Sequence, residues 1–382
     1  MADFRFHVPA DCFIGQDALY KLPLLFEGGP DRALLVTDPG LAEAKISERL
    51  VAVLEGRGIQ LISFDDIGER PSSASVEDAV ALARGSRAPL IIGIGGIRTL
   101  HIAKAVAALT PGVGTMDRWM DGDAPVRQPL PLALVPTSYR DPFLLSGGLV
   151  LTDARTGGAV FLQARRGVET AVVLDPNTLT GLSAKSASAA LLDGLMSAIE
   201  GFASARDGFL SDMALREAVG LYIHALDVTI KRPEDPQARM DAVRACFLAG
   251  LGLASSAPGL GTAVSYAINA RWGVPKANIA AVMVPYLLET LAQARPDKIA
   301  SLAPLLCEVD PAEGAAGAAA RAIESLRTRL GLLKIPSRLK DFDLALENLV
   351  ETAESARRFD FMNFLPRTMT VDDVFDFIKT VY

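Results

Sequence analysis

Residues 93–104 read GIGGIRTLHIAK, and the fold turns on them. The apolar run just before them ends in closely spaced glycines, and a stretch of helical texture follows. A strand that runs into glycines and then into a helix presents backbone N–H groups to a phosphate, although here an isoleucine, an arginine and a histidine interrupt the pattern. Working outward, ALLVTDPGL at 33–41 reads as a buried strand ending in a loop, ISERLVAVLEGRG as a helix, and IQLISFDDI as a second strand. PSSASVEDAVALARGS, with Ser75 as its expected N-cap, reads as the next helix before PLIIGIGG returns to a strand. This alternation predicts a parallel, doubly wound sheet.

From 129 to 176 the texture changes to Pro- and Gly-punctuated strands, PLPLALVPTS, GGLVLTD, GAVFL and TAVVLDP. They are expected to extend the same sheet. After LDPNTLTGLS the strand signals give way to long helical patterns, beginning with AKSASAALLDGLMSAIEGFASA. The expected architecture is a parallel α/β domain over residues 1–180 and an all-helical domain over residues 181–382.

The chain has 382 residues, 50% of them hydrophobic, and a formal net charge of −7. Two cores can be built from such a composition, and the acidic balance argues against nucleic acid and against an anionic membrane as partners. A small molecule is the expected partner. MADFRFHVPADCF shows no basic n-region followed by an apolar run, and no stretch is long and apolar enough for a transmembrane helix. A cytoplasmic protein is therefore expected. Cys12, Cys246 and Cys307 are widely separated and read as core residues.

The order of VTDPGL, IIGIGG with AKAVA, LVPTS, LTD, VLDPNTLTGL, LLDGLMSAIEGF and GVPKANIAAVMVPYLLE resembles the iron-containing alcohol dehydrogenases. These stand within the group that also holds glycerol dehydrogenases, maleylacetate reductases and dehydroquinate synthases. The resemblance covers essentially the whole chain. It implies a dehydroquinate synthase-like fold, in which an α/β dinucleotide-binding (Rossmann-like) domain precedes an all-α domain, with the active site between the two domains, NAD or NADP as cofactor, and a homodimer.

The departures from the family pattern are as informative. Where the family has GGGSxxDxAK, this chain has Gly95, Gly96, Ile97, Arg98, Thr99, Leu100, His101, Ile102, Ala103 and Lys104. A Cβ at Ile97 restricts φ and crowds a diphosphate. The family's PTTAGTGSE loop aligns with Pro136 to Leu144, of which Pro136, Thr137 and Ser138 keep its character. The family's metal ligands, an Asp, a His four residues on and two later histidines, fall on Asp193, Ser197, Thr262 and Lys276, and a further histidine near the nicotinamide falls on Tyr266. The chain's three histidines, His7, His101 and His224, lie elsewhere. One carboxylate with a serine, a threonine and an ammonium is not a transition-metal donor set, so no catalytic iron or zinc is expected.

Several residues admit two readings. Asp38 stands where the family hydrogen-bonds a cofactor ribose, but an Asp before Pro39 also suits a turn. Gly95 and Gly96 either approach a phosphate or merely let the strand turn into the helix. Arg98 and Arg140 would together grip an anionic ligand, or Arg98 would be a solvated residue or fill the vacant pocket and pair with Asp141. His101 reads by default as a neutral, hydrogen-bonded residue. Asp193 and Lys276 are expected to meet, either as a catalytic charge in the place of the metal or as a structural ion pair. Tyr266 is either a proton donor or a buried aromatic.

The expected function is accordingly a metal-independent NAD(P)-dependent oxidoreductase acting on a small carbonyl or alcohol. The alternative is a non-redox ligand-binding or regulatory pseudoenzyme. A lyase or cyclase of the dehydroquinate synthase kind is disfavoured, because that chemistry also leans on the metal.

Overall fold

The computed structural model describes residues 6–8, 10–26, 29–39, 46–68, 70–164, 170–179 and 182–382. Two compact units emerge: Val8–Ser138 with Phe143–Gly181, and Met1–His7 with Tyr139–Pro142 and Leu182–Tyr382. The four residues Tyr139–Pro142 thus belong with the helices, which a simple division near residue 180 does not anticipate.

In the α/β unit the strands are β1 (Ala10–Ile14), β2 (Arg32–Thr37), β3 (Gln60–Phe64), β4 (Ile91–Gly95), β5 (Leu132–Pro136), β6 (Gly148–Thr152), β7 (Ala159–Gln163) and β8 (Thr170–Leu174). Six of them form one sheet in the order β1-β8-β5-β4-β2-β3, every pairing parallel. All residues of β4 and β5 are buried, as expected of parallel strands covered on both faces. The sheet expectation needs one correction. β6 and β7 do not extend the parallel sheet but pair antiparallel with each other as a separate hairpin, while β1, which carries no clear strand signal, supplies an edge.

The helices here are α1 (Ile46–Glu55), α2 (Ser73–Ser86), α3 (Ile97–Leu109) and α4 (Met116–Met120). The N-cap of α2 is Ser72, whose hydroxyl accepts from the Ser75 N–H at 3.2 Å. Ser75 is therefore the third residue of the helix rather than its cap; either serine suits the motif, and only the hydrogen bond decides between them.

The chain runs outward from β2 to β3 and then crosses back to β4 on the other side of β2. The carboxyl ends of β2 and β4 therefore flank a topological switch point, where open α/β sheets bind their ligands.

The helical unit contains α5 (Ala184–Ala203), α6 (Phe209–Lys231), α7 (Pro236–Leu253), α8 (Leu260–Trp272), α9 (Lys276–Ala294), α10 (Pro296–Leu306), α11 (Gly314–Leu332), α12 (Leu349–Arg357) and α13 (Val371–Val381). Its central helix, α5, is buried from Ser188 to Ala203. A helix apolar nearly all round must sit inside a bundle. No helix among the described residues is long and apolar enough to cross a membrane.

Candidate functional site

The switch point of the α/β unit carries the first group of expected residues. Each glycine of GIGG has its own task. A Cβ at Gly93 would lie 2.7 Å from the Ala103 Cβ, so this glycine lets α3 pack closely on β4. At Gly95 a Cβ would come within 2.4 Å of Thr99 Oγ1, and Gly96 is the N-cap of α3, with no side-chain cap. Ile97 is the first helical residue and is buried. Its φ is not among the positive values, so the backbone here does not require the family's third glycine.

The Gly95 carbonyl accepts from the Thr137 N–H at 2.9 Å, which brings the end of β5 to the same place. Thr37 Oγ1, Thr99 Oγ1 and Ser138 Oγ are buried there without a hydrogen-bond partner. Buried hydroxyls left unsatisfied beside an uncapped helix N-terminus make a donor-rich cradle that fits the phosphates of a dinucleotide.

Arg98 is partly exposed to solvent and engages a carboxylate that was not named for it. Its Nη2 donates to Asp38 Oδ2 at 2.9 Å and its Nη1 to the Gly68 carbonyl at 2.8 Å. It pairs with Asp38 and not with Asp141, which belongs to the helical unit. Arg98 and Arg140 fall in different units, and each is paired with a carboxylate of its own unit.

His101 is buried, and its Nδ1 accepts from the Val150 N–H at 3.1 Å. This is the ordinary hydrogen-bonded role expected of it. Lys104, also buried, donates to the carbonyls of Phe143 at 2.5 Å and Gly148 at 3.1 Å, and so pins the chain ahead of β6.

The second group lies in the helical unit. Asp193, Ser197 and Glu200 follow one face of α5 at spacings of four and three; Thr262 and Tyr266 follow a face of α8, and Lys276 opens α9. Asp193 is fully buried. Its Oδ1 accepts from Lys276 Nζ, and its Oδ2 accepts from Arg140 Nη1 at 2.5 Å. The Lys276 ammonium also sits 4.6 Å from the centroid of the Tyr266 ring, within cation–π range.

Burial lowers the Lys276 ammonium below the ordinary lysine range; Asp193 opposes this and the Arg140 charge adds to it. Position adds a further cost, because a cation at a helix N-terminus faces the positive end of the macrodipole. Burial also raises the Tyr266 phenol well above its usual value, which keeps it protonated through the neutral range.

Two residues that sequence reasoning did not single out complete this arrangement. Glu200 is fully buried in α5. Its carboxylate accepts from the N–H groups of Gly259 at 3.0 Å and Gly261 at 2.5 Å, from the Thr262 N–H at 3.3 Å and from the Thr262 hydroxyl at 2.6 Å. It thereby caps α8, whose own N-cap, Gly259, has no side chain to do so. Burial raises its pKa, against the opposing pull of these donors. The signal available in the sequence was its place seven residues after Asp193, on the same helical face.

Tyr222 is the other. Its hydroxyl donates to the Tyr139 carbonyl at 3.1 Å and so holds the segment that carries Arg140. Gly194 makes room for it: a Cβ there would lie 2.5 Å from the Tyr222 ring and hydroxyl. Gly194→Ala should therefore destabilise the protein by about 1–3 kcal/mol through overpacking, read as a lowered denaturant midpoint at unchanged m-value.

The residues at the family's metal positions do not fit a divalent iron or zinc ion. Both oxygens of Asp193 are taken by cations, and the Thr262 hydroxyl is committed to Glu200. The Ser197 hydroxyl lies 3.2 Å from that of Thr262 and 3.2 Å from the Asp193 carbonyl. Lys276 contributes an ammonium where a metal needs a lone pair. The three cysteines are free thiols, Cys246 buried and the other two half-buried, and burial raises each.

Comparison with known proteins agrees with this geometry at the level of family. Residues 9–176 match the family described as iron-containing alcohol dehydrogenase, and residues 187–382 match the Fe-containing alcohol dehydrogenase family, C-terminal. The chain is 24% identical over 383 residues to alcohol dehydrogenase 4 of Saccharomyces cerevisiae, covering 99% of this chain and 98% of that protein. It is 26% identical to the 1,3-propanediol dehydrogenase of Klebsiella pneumoniae over 361 residues, 92% of each. Among solved structures, that of a 1,3-propanediol oxidoreductase superposes with a TM-score of 0.93 at 23% identity over 100% of both chains. The NAD+ complex of sulfoacetaldehyde reductase from Bifidobacterium kashiwanohense superposes at 0.85 and 19% identity, over 100% of this chain and 99% of that one. The protein is a member of the iron-containing alcohol dehydrogenase family, with its dehydroquinate synthase-like fold.

Proposed function

We propose that the protein is an NAD(P)-dependent oxidoreductase that interconverts a small carbonyl compound and its alcohol, with Lys276 and Arg140 supplying the positive charge that its relatives draw from a metal. The observation that carries this reading is the Asp193 carboxylate held between those two cations. The relatives act in its favour, among them a protein described as NAD-dependent methanol dehydrogenase from Bacillus methanolicus, 22% identical over 376 residues, 98% of this chain and 99% of that one. We further infer a cytoplasmic homodimer, on the strength of the family resemblance.

In this reading Gly95, Gly96, Thr137 and Ser138 hold the diphosphate of the nicotinamide dinucleotide, which supplies or accepts the hydride when bound. Asp193 fixes the Lys276 ammonium through Oδ1 and favours its charged form against the effect of burial. The Tyr266 ring covers one side of that ammonium and limits its rotation. A further N–H of Lys276 points its charge at the substrate oxygen, polarising a carbonyl in one direction and steadying an alkoxide in the other. Arg140, through Asp193, completes the charge balance of the cluster.

The test is turnover of a panel of small aldehydes and ketones with NADH and NADPH, before and after exhaustive chelation. Turnover that survives chelation and is not raised by added iron or zinc supports the reading. Turnover that collapses on chelation and returns with the metal refutes it. An absence of both turnover and nucleotide binding would favour the ligand-binding alternative.

A pH dependence arises from the lowered Lys276 ammonium. Because the charged form is the active one, turnover should fall as pH rises through a value below the ordinary lysine range. Lys276→Arg, whose guanidinium does not deprotonate, should lose that alkaline limb. Retention of the limb in Lys276→Arg would assign it to another group.

A further inference from the structure

The ion pair at the switch point bears on which nucleotide is taken, an inference that rests on the proposed nucleotide reading. Asp38 directly follows β2 and Arg98 lies in the first turn of α3, on the far side of the switch point. A carboxylate placed at the end of this strand accepts from a ribose 2′-hydroxyl and repels a 2′-phosphate; an arginine near it does the opposite. Here both are present and joined at 2.9 Å. The pair is open to solvent, the Arg98 side chain 37% exposed and that of Asp38 26%.

We propose that Arg98 sets the nucleotide preference and admits the 2′-phosphate of NADP(H), making NADPH at least as good a ligand as NADH. Two effects act together. The guanidinium neutralises the Asp38 carboxylate, removing its repulsion of a phosphate and occupying the oxygen that would receive the 2′-hydroxyl. It also offers that phosphate a cation. A guanidinium carries five N–H donors in a planar fork. The bonds to Asp38 and to the Gly68 carbonyl fix its plane and leave donors on its remaining edge for a bidentate grip on a phosphate. The Gly68 bond matters because it anchors the arginine from the β3 side, so that Arg98 is ordered before the nucleotide arrives.

The test is equilibrium titration of the purified protein with NADH and NADPH by nucleotide fluorescence, with calorimetry of 2′,5′-ADP against 5′-AMP as an adenosine-end readout independent of turnover. The wild-type protein should bind NADPH at least as tightly as NADH. Arg98→Ala should weaken NADPH by about tenfold or more while leaving NADH unchanged or tighter, since it removes a charge-assisted contact made by one ligand only and frees the Asp38 oxygen for the 2′-hydroxyl of the other. Asp38→Asn, which keeps the shape and removes the repulsion, should shift the ratio further toward NADPH. The inference is overturned if the wild-type protein prefers NADH by more than about tenfold, or if Arg98→Ala weakens both nucleotides alike. Binding of neither nucleotide would overturn the nucleotide reading itself, and this inference with it. NADH binding with exclusion of NADPH would sink the inference alone.

Discussion

Replacing Lys276 by Met should lower kcat by about 10²–10³-fold, the cost of removing one preorganised charge from a developing oxyanion. Methionine keeps the length and the apolar stem of lysine, and its thioether can rest against the Tyr266 ring, so the packing of α9 on α5 is preserved. Asp193 keeps its pairing with Arg140, and the protein should remain folded. A role in charge stabilisation and a structural plug are then separable in one protein preparation. The first predicts a large loss in kcat with a modest change in Tm, and the second predicts the reverse. Turnover within about threefold of wild type would dismiss Lys276 from the chemistry.

The second large effect concerns stability. Glu200→Ala should destabilise the protein by about 3–5 kcal/mol, because it leaves several buried donors without an acceptor and opens a cavity in the middle of the bundle. The donors are the N–H groups of Gly259, Gly261 and Thr262 and the Thr262 hydroxyl. Glu200→Gln keeps the volume but turns an amide N–H₂ toward those N–H groups, and should recover only part of the loss. Denaturant unfolding of the three proteins measures both. A change below about 1 kcal/mol for Glu200→Ala would mean that water replaces the carboxylate and that α8 does not depend on it. Because the Thr262 hydroxyl and N–H are fixed by Glu200, the same variant tests how rigidly the start of α8 is held.

The sequence carried the fold where hydrophobic periodicity and punctuation agree. The βαβ rhythm from residue 33 to residue 96, the glycines closing β4 and the passage to continuous helix near Ser183 all follow from local rules, since each residue's neighbours along the chain are enough to set strand, turn or cap. The meeting of Asp193 with Lys276 was legible through the family resemblance.

Local rules do not set which distant groups share a carboxylate. Arg98 was open between an anion, solvent and Asp141; the tertiary structure gives it Asp38, because β2 and β4 are sheet neighbours although sixty residues separate the two side chains. Arg140 goes to Asp193 because the Tyr222 hydroxyl, in the space left by Gly194, carries its segment into the helical unit. The hairpin β6–β7 leaves the parallel sheet although its residues read as strand, since strand propensity is silent on partner and direction. Glu200 looked like an ordinary helical acid, and only the approach of the α8 N-terminus turns it into a buried cap. The sequence by itself therefore determined the elements and the chemical inventory, whereas charge pairing, burial and capping were decided by contacts across the fold.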